Sequence, residues 1–164
     1  MSSPIFWRVF LAAIPMLGVV RDTRSGVLYG GVSAVILITS SFILLVLRRI
    51  IPKPAHRMVF FIAAVVLGTS MIRFIFFKES VSGLFMIVSV ILLMPPQMLR
   101  MPGSWKRTAK KISAMGFLFW ALLAGHGLLS ELFHQGGLAI FQTTAGSYLL
   151  IAVGSPFLPL GDRK

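Results

Sequence analysis

Two ionisable side chains, Glu131 and His126, lie in an apolar stretch of the chain and could take part in chemistry. A carboxylate at a membrane could bind a cation or carry a proton, or it could lie among lipid headgroups, paired with His134. An imidazole suits a proton relay because it titrates near neutral pH, and a neutral imidazole could instead hydrogen-bond across a helix interface. Five positions apart, the two residues do not share a helical face. Both are candidates for an ion or proton path, with a structural role as the alternative.

The residue types present exclude several other kinds of site. The 164 residues include no cysteine and only four carboxylates. No disulfide, thiolate nucleophile or cysteine-held cluster can form within the chain, and a dense metal or acid–base centre is not expected. The phosphate-binding glycine-rich loop, H-E-x-x-H and G-x-S-x-G motifs are all missing. The sequence therefore predicts no catalytic residue, and no metal or cofactor bound by this chain alone.

The composition is typical of an integral membrane protein. Hydrophobic residues make up 57% of the chain and charged residues 12%, with a mean hydropathy of +0.91. Soluble domains carry about 25% charged residues, so this chain cannot cover a soluble surface. The net charge of +12 comes from basic residues clustered between apolar runs. That pattern indicates positive-inside topology in a lipid bilayer rather than binding to nucleic acid.

Six apolar segments can be tested against the roughly 20 residues that a membrane-spanning helix needs. They are Ile5–Val20, Ser25–Leu47, Met58–Phe77, Ser82–Leu99, Ile112–Phe133 and Gly137–Phe157. We predict a single all-α membrane domain over residues 1–164, with six transmembrane helices. Most lysines and arginines fall in the second and fourth connections and at the C-terminus. This bias predicts that both termini are cytoplasmic, in a bacterial inner membrane.

Prolines interrupt two of these segments in matching positions. Pro15 lies inside the first segment, and Pro95 and Pro96 lie near the end of the fourth. Proline removes a backbone N–H and clashes with the preceding turn, so a helix should kink or stop there. Three spans in each half predict two inverted three-helix repeats, at about residues 5–77 and 82–158. Broken helices in matching positions point to a site at the membrane midplane.

Several stretches resemble one known family. Ile14–Val19 resembles Cys-Pro-Leu-Leu-Ala-Val, with isoleucine in place of cysteine, and residues 26–47 resemble a glycine-rich second span that ends in Leu-Arg. Further similar stretches are residues 54–57 (Pro-Ala-Glu-x-Arg), 130–138 (Arg-Glu-Ile-x-Gly-Asn-Gly-Thr-Leu) and the closing glycine-flanked run 146–154. Over nearly its whole length the chain resembles the small membrane subunits of the Rnf complex and the sodium-pumping NADH:quinone reductase (RnfA, RnfE, NqrD and NqrE). The resemblance is strongest to the RnfE/NqrD branch.

The resemblance implies a six-helix inverted-repeat fold in which two related subunits pair. Cysteines on their broken helices hold an iron–sulfur cluster that relays electrons between flavin-bearing sites, and the complex couples this flow to sodium or proton translocation. The family's cysteine positions fall at Ile14 and approximately Leu93 in this chain. Because such clusters need thiolate ligands, with histidine an occasional substitute, the chain is not expected to hold a cluster in the family manner.

The expected function is therefore a non-cluster-binding membrane subunit, with a structural or ion-path role and no catalysis of its own. Its expected partners are other membrane subunits, including a related cysteine-bearing one and flavin-bearing ones. Two alternatives use the same scaffold without a redox complex. One is a small stand-alone transporter or channel, and the other is an assembly factor.

Overall fold

The computed structural model describes residues 4–47, 50–75, 80–93, 105–138, 140, 143–146 and 148–149. Helices dominate these ranges, and no strand occurs within them. The helices with described bounds are α1 (Pro4–Leu17), α2 (Thr23–Leu47), α3 (His56–Ile75), α4 (Ser80–Leu93) and α5 (Trp105–Gln135), with a 3-10 turn at Lys53–Ala55 before α3. Residues 144–146 and 148–149 are also helical. The predicted all-α class is confirmed for this part of the chain.

Three helices are long and apolar enough to cross a bilayer, which agrees with the predicted class of membrane protein. These candidate spans are Thr23–Leu47, His56–Arg73 and Thr108–Gln135. Within the described residues, α1 and α4 each comprise 14 residues, against the roughly 20 that a full span requires. The predicted sixth span, residues 137–157, lies largely outside the described residues.

The helix ends differ from the predicted boundaries in two places. The first helix does not stop at Pro15 but continues for two more residues to Leu17. The region from residue 100 to 111 was expected to be a basic loop, but Lys110 and Lys111 belong to α5. With 31 residues, α5 is about 46 Å long and exceeds the roughly 30 Å of hydrocarbon, so its basic first turns can reach the headgroups. Pro95 and Pro96 lie outside the described residues.

The centre of the fold is the packing of α2 against α5, its most extensive helix pair. The two helices run antiparallel, since Gly26 faces Leu123 while Gly30, one turn further along α2, faces Trp120. A Cβ atom on Gly26 would lie 2.5 Å from the backbone oxygen of Leu123, so only glycine permits this approach. The Gly26-x-x-x-Gly30 spacing therefore brings two helix backbones together.

The remaining helices pack around this pair. The two short helices α1 and α4 contact each other, α1 also contacts α5, and α4 also contacts α2. Helix α3 lies against α2 and α4. The interior between them is filled by fully buried side chains that include Val9, Met16, Phe60, Met86 and Phe119. Large apolar side chains also line the outer surface, as expected where a helix faces lipid.

The close approach of α2 and α5 predicts different effects for two neighbouring glycines. Gly26→Ala should destabilise the protein by about 1–3 kcal/mol, because the added methyl group overlaps the Leu123 carbonyl. Gly31→Ala is the control, since its nearest contact, Trp120 Cδ1, lies 3.9 Å away. It should be neutral or stabilising, as alanine favours helix. Reversible unfolding in mixed micelles, followed by circular dichroism, measures both; equal stability of the two variants would contradict the packing described.

Candidate functional site

The sequence predicts a kink or stop at Pro15, whereas α1 continues past it to Leu17 and the connection between α1 and α2 covers residues 18–22. Helix α1 ends at Leu17, and the backbone oxygen of Met16 accepts hydrogen bonds from the N–H groups of Val19 and Val20 at 2.9 and 3.1 Å. The bond from Val20 follows the α-helical i to i−4 spacing and the bond from Val19 the tighter i to i−3 spacing, so the chain leaves α1 through one further turn. The end of a helix leaves backbone groups without partners in the helix itself, so other residues or water must satisfy them.

Asp22 caps the start of α2. Its Oδ1 accepts a hydrogen bond from the N–H of Ser25 at 2.6 Å, and its backbone oxygen accepts the N–H of Gly26 at 3.0 Å. The Ser25 hydroxyl oxygen accepts the N–H groups of Arg21 and Asp22, both at 3.2 Å. This is a reciprocal capping box in which serine replaces the usual glutamate or glutamine at the third helical position.

Glu131, near the end of α5, also binds the start of α2. Its Oε2 accepts the Thr23 hydroxyl at 2.6 Å and the Thr23 backbone N–H at 3.2 Å. A carboxylate at a helix N-terminus is favourable, because the unpaired N–H groups there carry a partial positive charge. The structure therefore gives this candidate ion-path residue two hydrogen bonds to a neighbouring helix end.

His126 contacts the other end of the connection, where α1 ends. The imidazole forms a hydrogen bond with the backbone of Leu17, the last residue of α1. The side chain is 8% exposed, and its Nε2 atom is buried with no hydrogen-bond partner among the described residues. A ring N–H next to the final carbonyls of a helix satisfies a group that the helix itself leaves unpaired.

Between these two residues, Gly127 lets the connection rest directly on α5. A Cβ atom at this position would overlap the backbone oxygen of Asp22, and it would lie 3.2 Å from the Thr23 Cα. Residues 126–131 of α5, called the platform here, therefore contact the end of α1, the start of α2 and the chain between them. His126 and Glu131 meet this connection at its two ends, although five positions separate them along α5.

A cleft opens above this connection, with a volume of about 470 Å³. Its charged side chains are Arg21 and Asp22, which carry opposite charges. Its other lining residues are Pro15, Gly18, Val19, Ser25, Tyr29, Phe85, Thr144 and Tyr148. Charged and hydroxyl-bearing side chains line the cleft together with apolar ones, and its volume lies within the range of sites for small ligands.

The sequence identified part of this arrangement. The candidates Glu131 and His126 belong to the platform, and Pro15 lines the cleft beside the connection. The roles of Asp22 as a cap and of Gly127 as a contact were missed, although Asp22-x-x-Ser25 after a broken helix is a visible capping signal. The contribution of Tyr148 to the cleft depends on long-range packing, and no local pattern indicates it.

The two positions matched to the family's cysteines lie at the ends of the short helices. Ile14 is half-buried in the last turn of α1, and Leu93 is the fully buried final residue of α4. Both side chains are pure hydrocarbon and cannot ligate a metal. Among the described residues, no group of three or more His, Cys, Asp or Glu side chains could hold a metal ion.

Comparison with family models, with curated proteins and with solved structures gives no match to this chain.

The contact between Glu131 and Thr23 predicts coupled stabilities. Glu131→Gln and Thr23→Val should each lower the unfolding temperature, because each weakens the hydrogen bonds at the start of α2. The double variant should lose less than the sum of the single losses, since both substitutions remove one interaction. Gln135→Ala, at an exposed site one turn further along α5, serves as the control and should leave the unfolding temperature unchanged. Strictly additive losses in a thermal scan would contradict the contact.

Proposed function

We propose that the chain is a membrane-embedded structural subunit of an ion-translocating electron-transport complex resembling Rnf and Nqr, and that it binds no iron–sulfur cluster. The observation that carries this proposal is the chemistry of Ile14 and Leu93, at the ends of α1 and α4. Neither helix contains a cysteine or a histidine. Redox chemistry then belongs to partner subunits, a related cysteine-bearing one and flavin-bearing ones.

The helix contacts support two inverted three-helix repeats. If α1 and α2 in the first half correspond to α4 and α5 in the second, the pairs α1–α4 and α2–α5 are each related by the repeat operation. The contacts of α1 with α5 and of α4 with α2 then correspond to each other. The contact of α3 with α4 has its counterpart where Thr144 and Tyr148, from the last segment, pack on Gly18 after α1. The antiparallel course of α2 and α5 is the one that an inverted repeat requires.

The surroundings of Glu131 and His126 favour a scaffolding role for both. Each residue satisfies a backbone group at a helix end, Thr23 for Glu131 and Leu17 for His126. Within a bilayer this role is sufficient to explain why a carboxylate and an imidazole lie in an apolar helix. In the proposed subunit, Glu131 and His126 hold α1 and α2 as the family's broken helices are held, although Ile14 is not a metal ligand.

The cleft favours one second candidate, a small stand-alone transporter. A volume of about 470 Å³ beside a helix break, with a charged pair at its opening, is the form that a substrate site takes in inverted-repeat transporters. An assembly factor would need no such cleft.

In a reconstituted flux assay, Glu131→Gln should leave flux unchanged if Glu131 is structural, and should reduce flux if the residue lies on an ion path.

Co-purification tests the proposed complex. In mild detergent, the tagged chain expressed in its native membrane should elute with flavin-bearing subunits and with a related cysteine-bearing subunit. The chain purified alone should show no visible iron–sulfur absorbance, because it supplies no thiolate. Stoichiometric iron with cluster absorbance in the isolated chain would overturn the proposal. Elution without any partner, together with solute uptake by liposomes that contain the chain, would favour the transporter.

The proposed topology places both termini in the cytoplasm, most simply in a bacterial inner membrane. It predicts opposite sides for two exposed arginines, Arg24 at the start of α2 and Arg57 at the start of α3. Arg57→Cys should react with an impermeant maleimide only in inverted vesicles, and Arg24→Cys only in intact cells. The chain has no cysteine of its own, so each label reports a single site. The reverse pattern would contradict the orientation inferred from loop charge.

A further inference from the structure

The cleft brings two opposite charges together without pairing them. Arg21 and Asp22 are neighbours in the chain, both are exposed, and both line the cleft. Their hydrogen bonds are those of the capping turn, and among the described residues no ion pair joins the Arg21 guanidinium to a carboxylate. A cation and an anion that line one cleft in this way are open to a ligand that carries the complementary charges.

The capping bond fixes the Asp22 carboxylate without exhausting it. Its Oδ1 accepts the N–H of Ser25 at 2.6 Å, which holds the carboxylate at the start of α2. Both oxygens of a carboxylate accept more than one hydrogen bond, so acceptor sites remain for an ammonium group. The guanidinium of Arg21 presents a planar fork of N–H donors, which fits a carboxylate or a phosphate group.

The rest of the cleft supplies a hydroxyl group and apolar surface. Tyr148 is 43% exposed, and its hydroxyl lies over Gly18, where an added Cβ atom would come within 2.9 Å of it. Pro15, Val19 and Phe85 contribute apolar surface to the lining. A volume of about 470 Å³ is sufficient for a small molecule that is charged at one end and apolar at the other.

We propose that the cleft binds a small zwitterion, with its acid group on Arg21 and its ammonium group on Asp22. The apolar portion of the ligand then lies against Pro15, Val19 and Phe85. A simple anion is repelled by the Asp22 carboxylate and a simple cation by the Arg21 guanidinium, so the cleft selects ligands that carry both charges.

Two sources carry this chemistry. One is a free neutral amino acid, and the other is the headgroup of phosphatidylethanolamine, in which a phosphate takes the place of the carboxylate. The proposal rests on the cleft alone, so it stands whether or not the chain joins the proposed electron-transport complex. Binding is therefore measured on the isolated full chain.

Two substitutions each remove one charge from the cleft. Arg21→Gln does so at an exposed position, and Asp22→Asn keeps a side-chain oxygen for the Ser25 N–H, because asparagine caps helices as well as aspartate does. Arg24→Gln is the matched control, since Arg24 is also exposed at the start of α2 but does not line the cleft. Unfolding temperatures close to that of the unmodified chain are expected for all three variants.

In the first arm, the chain in lipid-free detergent is titrated with L-leucine in equilibrium dialysis. Leucinamide lacks the carboxylate and N-acetyl-leucine lacks the ammonium group, so each should bind at least about ten times more weakly. Glycine should also bind more weakly, because it places nothing against the apolar surface. Arg21→Gln and Asp22→Asn should each weaken leucine binding at least about tenfold, whereas Arg24→Gln should leave it unchanged.

In the second arm, native mass spectrometry detects phosphatidylethanolamine that stays bound when the chain is released from nanodiscs. The unmodified chain and Arg24→Gln should retain the lipid, and Arg21→Gln and Asp22→Asn should lose it. Binding in either arm that depends on both charges supports the proposal. The arm that shows it identifies the source of the ligand.

Three results would overturn the proposal. The first is that the unmodified chain binds neither leucine nor phosphatidylethanolamine. The second is that Arg21→Gln or Asp22→Asn binds as the unmodified chain does, because a ligand of this cleft would then use only one charge. The third is that leucinamide or N-acetyl-leucine binds as tightly as leucine.

Discussion

The fold depends on how backbone groups are satisfied where α1 ends and α2 begins. At such a short connection, carbonyl groups at the end of one helix and N–H groups at the start of the next have no partner within their own helix. Here one segment of α5 serves both ends, with His126 at Leu17 and Glu131 at Thr23. The carboxylate faces the positive end of α2, and the imidazole lies at the last backbone groups of α1.

The contacts of α5 with the connection fix how α1 and α2 meet without any metal ligand. The side chains of Ile14 and Leu93, in the last turns of α1 and α4, contribute only apolar packing. The cleft lies beside the connection, and Arg21, Tyr29 and Tyr148 are among the residues that line it.

Much of the fold follows from local patterns in the sequence. Apolar length predicts α2 and α3 to within a few residues, and the spacing of Gly26 and Gly30 predicts the close packing of α2. The extension of α5 into the basic region was missed, because lysines were taken as the sign of a loop whereas they are good helix formers in a first turn at the headgroups. The candidate site was found only in part: Pro15, His126 and Glu131 carry visible signals, but their meeting depends on the antiparallel pairing of helices far apart in sequence.

The glycine contacts between α2 and α5 also have a mechanical consequence. Side chains at most helix interfaces can change rotamer and let one helix slide over another, as small shear motions require. At Gly26 and Gly127 it is backbone that lies against backbone, so there is no compliant layer to absorb such a shift. We expect α2 and α5 to move as one rigid body. Any conformational change would then be a movement of α1, α3 and α4 relative to this pair.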